Sequence, residues 1–317
     1  VAAYKEGAAS LHRYPDGGAQ ALVRAIGEVH GLDPARIVCG AGSDELLALL
    51  GRAYAGPGDE VLYSAHGFLM YPIVALSVGA TPVKAPETDL TANVDNLLAA
   101  VTPKTRIVFV ANPNNPTGTM LPAAELRRLR AGLPADVLLV IDAAYAEYVD
   151  DPAYDAGASL VDEGAATVMT RTFSKIHGLA ALRIGWCYAP AAIAAVLNRI
   201  RGPFNVGAPA IAAGAAAIRD LDHVERSRAH NRVERKRLAD RLVQLGLSGP
   251  TSHGNFLLVR FPDAATAEAA LAALNGAGVI PRRVAGYGLP ECLRITVGTA
   301  EENDKVVAAL TDFVGEA

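Results

Sequence analysis

The sequence predicts an α/β protein: a mostly parallel central sheet with helices on both faces, plus a smaller α+β domain. Three observations lead there. Short apolar or β-branched runs alternate with helix-like stretches through the first two thirds of the chain, as in parallel strands buried on both faces. Near residue 205 this gives way to a long, charge-rich helical stretch and then a compact mix of strands and helices. With 51% apolar and 20% charged residues over 317 positions, the chain can bury about three quarters of its unfolded surface without disulfides or a structural metal.

Taken in order, residues 36–39 read as a buried strand, and Gly40-Ala41-Gly42 turns the chain into a helix with Leu46, Leu47, Leu49 and Leu50 on its apolar face. Gly56-Pro57-Gly58-Asp59 breaks that helix before a strand at 60–63. Further strands are expected at 106–110, 137–141 and 167–171, with a helix at 123–130 among them. The stretch 208–244 reads as one long helix running out of one domain along another. Beyond Gly249-Pro250 come strands at 256–261, 279–282 and 293–297 and a helix at 264–274. A last helix opens on Thr299-x-x-Glu302, a capping box. The expected division is an N-terminal arm over 1–15, a large domain over 16–215 and a small domain over 216–317.

The 29 Lys+Arg and 33 Asp+Glu residues give a formal net charge of −4. That balance argues against a general nucleic-acid or anionic-membrane binder, since both need a clustered basic surface. Cys39, Cys187 and Cys292 lie far apart, with no Cys-x-x-Cys and no His at ligand spacing. This is neither a disulfide framework nor a zinc site, and it fits a reducing compartment. The most apolar stretches are strand-length, far short of the ~20 residues of a membrane span. No signal peptide is visible, so the expectation is a cytoplasmic protein. The chain starts at Val1 and not at Met, so a preceding segment is also expected.

In an open parallel sheet, ligands lie beyond the carboxyl ends of the strands. The polar residues there are Gly42-Ser43-Asp44, the loop 112–118, Asp142 with Tyr145, and Thr172-Phe173-Ser174-Lys175 followed by Arg183. A lysine directly after a buried strand is a candidate carbonyl nucleophile, because desolvation lowers its pKa and frees the amine. Each piece alone has a plainer reading. Gly42-Ser43-Asp44 is then a strand-to-helix turn with Ser43 as N-cap, 112–118 a turn-rich loop, and Asp142 a strand-end turn. Lys175, Arg183 and Arg294 are then surface charges. His66 and His177 have no partners that suggest a metal. Gly40-x-Gly42 is a poor dinucleotide fingerprint, because Glu45 stands where Gly or Ala is needed.

The combination is more specific. Asn-Pro-x-Asn-Pro-Thr-Gly at 112–118, Asp-x-x-Tyr at 142–145, and Thr-Phe-Ser-Lys at 172–175 with an Arg eight residues later together resemble the fold-type I pyridoxal-phosphate aminotransferases of class I/II. Within that class, three segments are similar to the histidinol-phosphate branch: Arg13-Tyr14-Pro15-Asp16, Gly202-Pro203-Phe204-Asn205-Val206, and Ala285-Gly286-Tyr287-Gly288-Leu289-Pro290 with Leu293-Arg294-Ile295-Thr296-Val297-Gly298. The resemblance runs from about Leu11 to the C-terminus.

The resemblance implies pyridoxal 5'-phosphate as cofactor and transamination between histidinol phosphate and 2-oxoglutarate or glutamate in histidine biosynthesis. Lys175 would bond the cofactor aldehyde and then shuttle the substrate Cα proton, with Asp142 against the pyridine nitrogen. Asn115 and Tyr145 would reach the ring's phenolic oxygen, and Phe68 would stack on the ring. The phosphate would be held by the Ser43 and Asp44 N–H groups at a helix start, by Thr172 and Ser174, and by Arg183. Tyr14 would reach that phosphate from the other subunit of a homodimer. Arg294 and Arg282 would grip the acidic end of the substrate, with Arg283 able to exchange roles with Arg282 because strand neighbours face opposite ways.

Two departures stand out. The branch's N-terminal Asn-x-Asn-Pro segment has no counterpart before Val1, and its usual Asp-Glu-Ala-Tyr reads Asp142-Ala143-Ala144-Tyr145. The alternatives are an aromatic amino-acid aminotransferase, which shares every cofactor residue, and a threonine-phosphate decarboxylase on the same scaffold. A cofactor-sensing regulator ranks last, since the chain has neither a helix-turn-helix nor a basic patch.

Overall fold

The structure is a computed structural model that describes residues 1–164 and 166–316. Its large sheet has seven strands: β1 (Ile37–Gly40), β2 (Glu60–Ser64), β3 (Thr81–Ala85), β6 (Thr105–Ala111), β7 (Leu138–Asp142), β8 (Thr167–Thr172) and β9 (Gly185–Tyr188). The two short strands β4 (Glu87–Thr88) and β5 (Thr91–Ala92) form a separate hairpin. The order across the sheet is β1-β9-β8-β7-β6-β2-β3, parallel except for β9, which runs against both of its neighbours.

Period-two alternation sends the two side-chain sets of each strand into different layers. Ile107, Phe109, Leu138 and Val140 pack with α3 (Ser43–Tyr54), while Val108, Val110, Leu139 and Ile141 pack under α5 (Val94–Ala99) and α6 (Ala123–Gly132). At the other edge, Ile37, Cys39, Trp186 and Tyr188 pack against α2 (Gln20–His30) and α9 (Ala208–Arg219), and Val38 and Cys187 face α3. Burial on both faces explains why these strands read as unbroken apolar runs. The remaining helices of this part are α1 (Ala2–Ala8), α4 (Met70–Ser77), α7 (Ala158–Asp162) and α8 (Ala191–Ile200).

The expected single helix over 208–244 is two. Asp220 ends α9, and its carboxylate accepts the His223 N–H at 3.0 Å to cap α10 (Leu221–Gln244). A side-chain acceptor at that position restarts the helix instead of letting it continue. The second sheet has the order β10-β12-β11, from β10 (Phe256–Arg260), β11 (Arg282–Arg283) and β12 (Cys292–Thr296). The strand expected at 279–282 is therefore confined to its last residue and Arg283. One face of this sheet, with Leu257, Val259, Leu293 and Ile295, packs under α11 (Ala264–Gly276) and α12 (Ala300–Glu316). The capping box that opens α12 is formed, with Thr299 N–H donating to Glu302 at 2.8 Å and Glu302 N–H to Thr299 Oγ1 at 3.3 Å.

Candidate active site

The carboxyl ends of β6, β7 and β8 open onto a cavity of about 210 Å³ at the amino end of α3. Ser43, Asp44, Phe68, Asn115, Asp142 and Tyr145 line it, as do Thr172, Ser174, Lys175 and Arg183. Ten of the sequence-selected residues, distant in the chain, thus share one space. Ala111, Pro113, Ala144 and Ala180 fill the gaps between them.

Asp142 ends β7 in the interior. The Tyr71 hydroxyl donates to one of its oxygens at 3.2 Å and the Thr170 hydroxyl to the other, also at 3.2 Å. Burial pushes its carboxyl up to about 6 in spite of these two donors, and the Lys175 charge only partly offsets it. Lys175 follows β8 by three residues, and its amine stands 5.2 Å from the centre of the Tyr145 ring. The loop before the cavity is fixed by Asn112, whose side chain accepts from Leu121 N–H at 2.8 Å and donates to the Leu121 carbonyl at 3.0 Å. Asn114 donates to Thr117 at 2.9 Å, which leaves Asn115 to face the cavity.

At the other end, α3 begins at Ser43 with Gly42 as its cap, so no cap side chain bonds the N–H groups of the first turn. The expected cap, Ser43, is instead the first helical residue, so its N–H is one of those free donors. Gly42 has φ +82°, and a Cβ there would come within 2.5 Å of the Arg183 guanidinium. Arg183, itself at φ +49°, donates to Ser174 Oγ and to Asp44, both at 3.2 Å. Gly185 lets β9 pass against the same helix start, since its Cβ would meet Ser43 N at 2.3 Å. A cluster of free N–H groups, hydroxyls and one guanidinium at a helix start suits an anion.

Three of the selected residues lie outside the cavity lining. Tyr14 is 84% exposed and stacks on Phe204 at 4.7 Å. Arg294 reaches the cavity indirectly: its guanidinium donates to the Asn115 side-chain carbonyl and rests 4.9 Å from the centre of the Phe256 ring. Arg282 stands directly opposite Arg294 across the β11–β12 ladder, so the two share the face of the small sheet that carries Phe256. Arg283 is opposite Leu293 on the helix-covered face and pairs with Glu268. The register thus puts Arg282, and not Arg283, on the side of Arg294.

Sequence reasoning missed Tyr71, Thr170 and Phe256. Tyr71, in the first turn of α4, follows Phe68 by three residues and donates its N–H to the Phe68 carbonyl at 2.9 Å, and their rings meet edge to face at 5.9 Å, so the three-residue spacing is a usable signal. Thr170 is β8's partner for Asp142 in the parallel ladder, which needs the strand order to find. Phe256 contacts the Tyr145 ring at 5.2 Å and carries Arg294. Among the described residues, no group of three or more potential metal ligands occurs, and no helix is long and apolar enough to cross a membrane.

Comparison with known proteins bears on the same residues. The family model described as aminotransferase class I and II matches residues 2–310. A histidinol-phosphate aminotransferase of Paramagnetospirillum magneticum is 62% identical over 97% of this chain and 85% of its own length. That of Granulibacter bethesdensis is 58% identical over 99% of this chain and 85% of its own length. The crystal structure of histidinol-phosphate aminotransferase from Sinorhizobium meliloti in complex with pyridoxal-5'-phosphate has a TM-score of 0.94 at 30% identity, covering 99% of this chain and 86% of that one. A sheet with its polar cavity at the strand ends and a near-complete sequence match point the same way: the chain belongs to aminotransferase class I and II and, within it, to the histidinol-phosphate aminotransferases.

Proposed function

We propose that this protein transfers an amino group between histidinol phosphate and 2-oxoglutarate, with pyridoxal 5'-phosphate as cofactor, as a step of histidine biosynthesis. The observation that carries the reading is the convergence of Lys175 and a buried, unpaired Asp142 on one cavity. Asp142 has two neutral hydroxyl donors and no salt bridge among the described residues, so it is suited to a cationic ring nitrogen that would offset its buried charge. The free N–H groups at Ser43 and Asp44, with Thr172, Ser174 and Arg183, fit a phosphate at the other end.

When bound, pyridoxal phosphate supplies an aldehyde that takes up the amino group and a ring that accepts the electron pair left at the substrate Cα. Asp142 would hold the ring through its nitrogen and keep a proton there. Lys175 would take the proton from the substrate Cα and deliver it to the carbon that carried the cofactor aldehyde, C4′. Asn115 and Tyr145 would hold the ring through its phenolic oxygen, and Phe68 would pack on the ring. Arg282 and Arg294 bind the anionic end of the substrate.

The same reading includes a homodimer in which Tyr14 reaches the partner's phosphate. Exposed Leu11, Ile73, Leu76 and Phe204 support an apolar contact surface. It also includes the arm over 1–15, the large unit over 16–215 and the small unit over 216–317, supported by two separate sheets. Three buried, unpaired cysteines support a cytoplasmic setting. Borohydride reduction of the purified, cofactor-loaded protein followed by peptide mapping tests the core of this. The label is expected on Lys175, and a label on another lysine overturns the assignment.

A further inference from the structure

Glu45 is the residue that spoils the dinucleotide-like start at Gly40-x-Gly42, and it is absent from the cavity lining. It is the third residue of α3, and its side chain folds back over the turn before the helix, where Oε2 accepts the Ala41 N–H at 2.6 Å. Gly40 leaves the room for this: a Cβ there would come within 3.2 Å of the same oxygen and 2.8 Å of Leu46. The Gly42 N–H is taken by the Gly40 carbonyl at 2.9 Å. The first two N–H groups after Gly40 are thus used inside the turn, and the next two belong to Ser43 and Asp44, which line the cavity. Glu45 Oε2 is held in turn by the Asn205 side-chain amide at 2.8 Å, which also donates to the Cys39 carbonyl of β1 at 3.1 Å. Arg201 orients Asn205 by donating to its side-chain carbonyl at 3.1 Å. A carboxylate close to an anion site repels the anion, so its place here needs a gain that outweighs this. Its grip on the turn is that gain.

We propose that Glu45 is a positioning residue for the cofactor phosphate: bridged to Asn205, it locks the 40–42 turn so that the Ser43 and Asp44 N–H groups stay aimed at one phosphate. The inference rests on the reading that the start of α3 holds that phosphate. With the Ala41 N–H bonded from within, the turn cannot rock on Gly42, whose φ of +82° lies where glycine alone moves freely. Donors set in advance bind an anion without the cost of ordering them first. The same contacts give Asn205, in the segment 202–206, its part: its amide joins the helix start to the end of β1.

The test compares pyridoxal 5'-phosphate with pyridoxal, which lacks only the phosphate, in equilibrium titrations of the cofactor-free protein. Glu45→Ala should bind pyridoxal phosphate about 10-fold more weakly, the scale of one hydrogen bond to a charged group, and pyridoxal within about 2-fold of wild type. Glu45→Gln removes the same charge but keeps an acceptor for the Ala41 N–H, so it should retain the wild-type preference for the phosphate ester. Asn205→Ala should shift that preference in the same direction as Glu45→Ala, and it carries the test if Glu45→Ala does not fold. The double variant should lose no more than Glu45→Ala alone, because both act through one contact. Equal losses for the two ligands, like behaviour of Glu45→Ala and Glu45→Gln, or losses that add in the double variant overturn the proposal. Arg183→Ala, which the same reading places on the phosphate itself, is the control. If it lowers the preference and Glu45→Ala does not, the proposal alone fails. If neither lowers it, the phosphate is held elsewhere and the underlying reading fails with it.

Discussion

The Tyr71 phenol donates to the Asp142 carboxylate at 3.2 Å, behind the cavity and away from solvent. Neither residue is exposed, and among the described residues the only other donor to that carboxylate is a neutral hydroxyl, Thr170. The site is thus built around a negative charge that the protein alone does not neutralise. Stability is given up there for function, as at other sites that await a charged ligand.

Asp142→Asn tests this. The folded carboxyl lies at about 6 against an ordinary 3.8, so the group is raised and opposes folding wherever it is ionised. The penalty is absent below about pH 4, grows as pH rises towards 6, and is complete above it. A shift of that size corresponds to a penalty on the order of 3 kcal/mol. Urea melts of the cofactor-free protein should find Asp142→Asn more stable than wild type at pH 8 and little changed at pH 4. The same variant should lose most of its transaminase activity. Equal stability at both pH values would show that the carboxylate is not strained.

Tyr71→Phe should act in the opposite direction. Removing a donor to a buried charge costs about 1–3 kcal/mol. The loss should be largest at pH 8, where Asp142 is ionised, and smaller near pH 4. Differential scanning calorimetry of the cofactor-free protein at the two values checks it.

Behind the Lys175 loop, Glu147 accepts from Arg171 at 2.7 Å, and His177 lies 3.7 Å from the same oxygen. Burial would raise the Glu147 carboxyl, but the Arg171 and His177 partners outweigh it and hold the group at about 2. Its contribution is therefore present above the ordinary 4.5 and lost as pH falls from there towards 2. Glu147→Gln leaves the Arg171 charge buried without its counter-ion and should cost about 3–5 kcal/mol at pH 7. The gap between variant and wild type should narrow in acid, as read by urea unfolding at pH 7 and pH 3.

The register of the small sheet separates the two adjacent arginines. Arg282→Ala should lower kcat/KM for histidinol phosphate by about 2–4 kcal/mol, and cost much less with phenylalanine, whose single carboxylate Arg294 can hold. Arg283→Ala removes an exposed pair with Glu268 and should change either activity by less than about 0.5 kcal/mol. Steady-state kinetics of both variants decide the point.

Much of this was legible in the residues alone. The buried parallel strands announce themselves as apolar runs, and the polar residues that end them gather where such a sheet places its ligands. What stayed hidden depends on pairing between distant segments. β9 is four residues long and runs against its neighbours, and nothing local in Gly185-Trp186-Cys187-Tyr188 fixes that direction. The break at Asp220 turns on one carboxylate reaching back to His223 N–H, in a stretch whose composition is helical throughout. Choosing Arg282 over Arg283 requires a one-residue register, and strand periodicity cannot supply it without the partner strand.

The central claim is the substrate. The most direct test is kcat/KM of the purified, cofactor-loaded protein for histidinol phosphate, phenylalanine and threonine phosphate, each with 2-oxoglutarate as acceptor. The two-arginine face predicts that histidinol phosphate is preferred over phenylalanine by at least about 10-fold, and that threonine phosphate is not decarboxylated. A preference for phenylalanine, or release of carbon dioxide from threonine phosphate, would contradict the account.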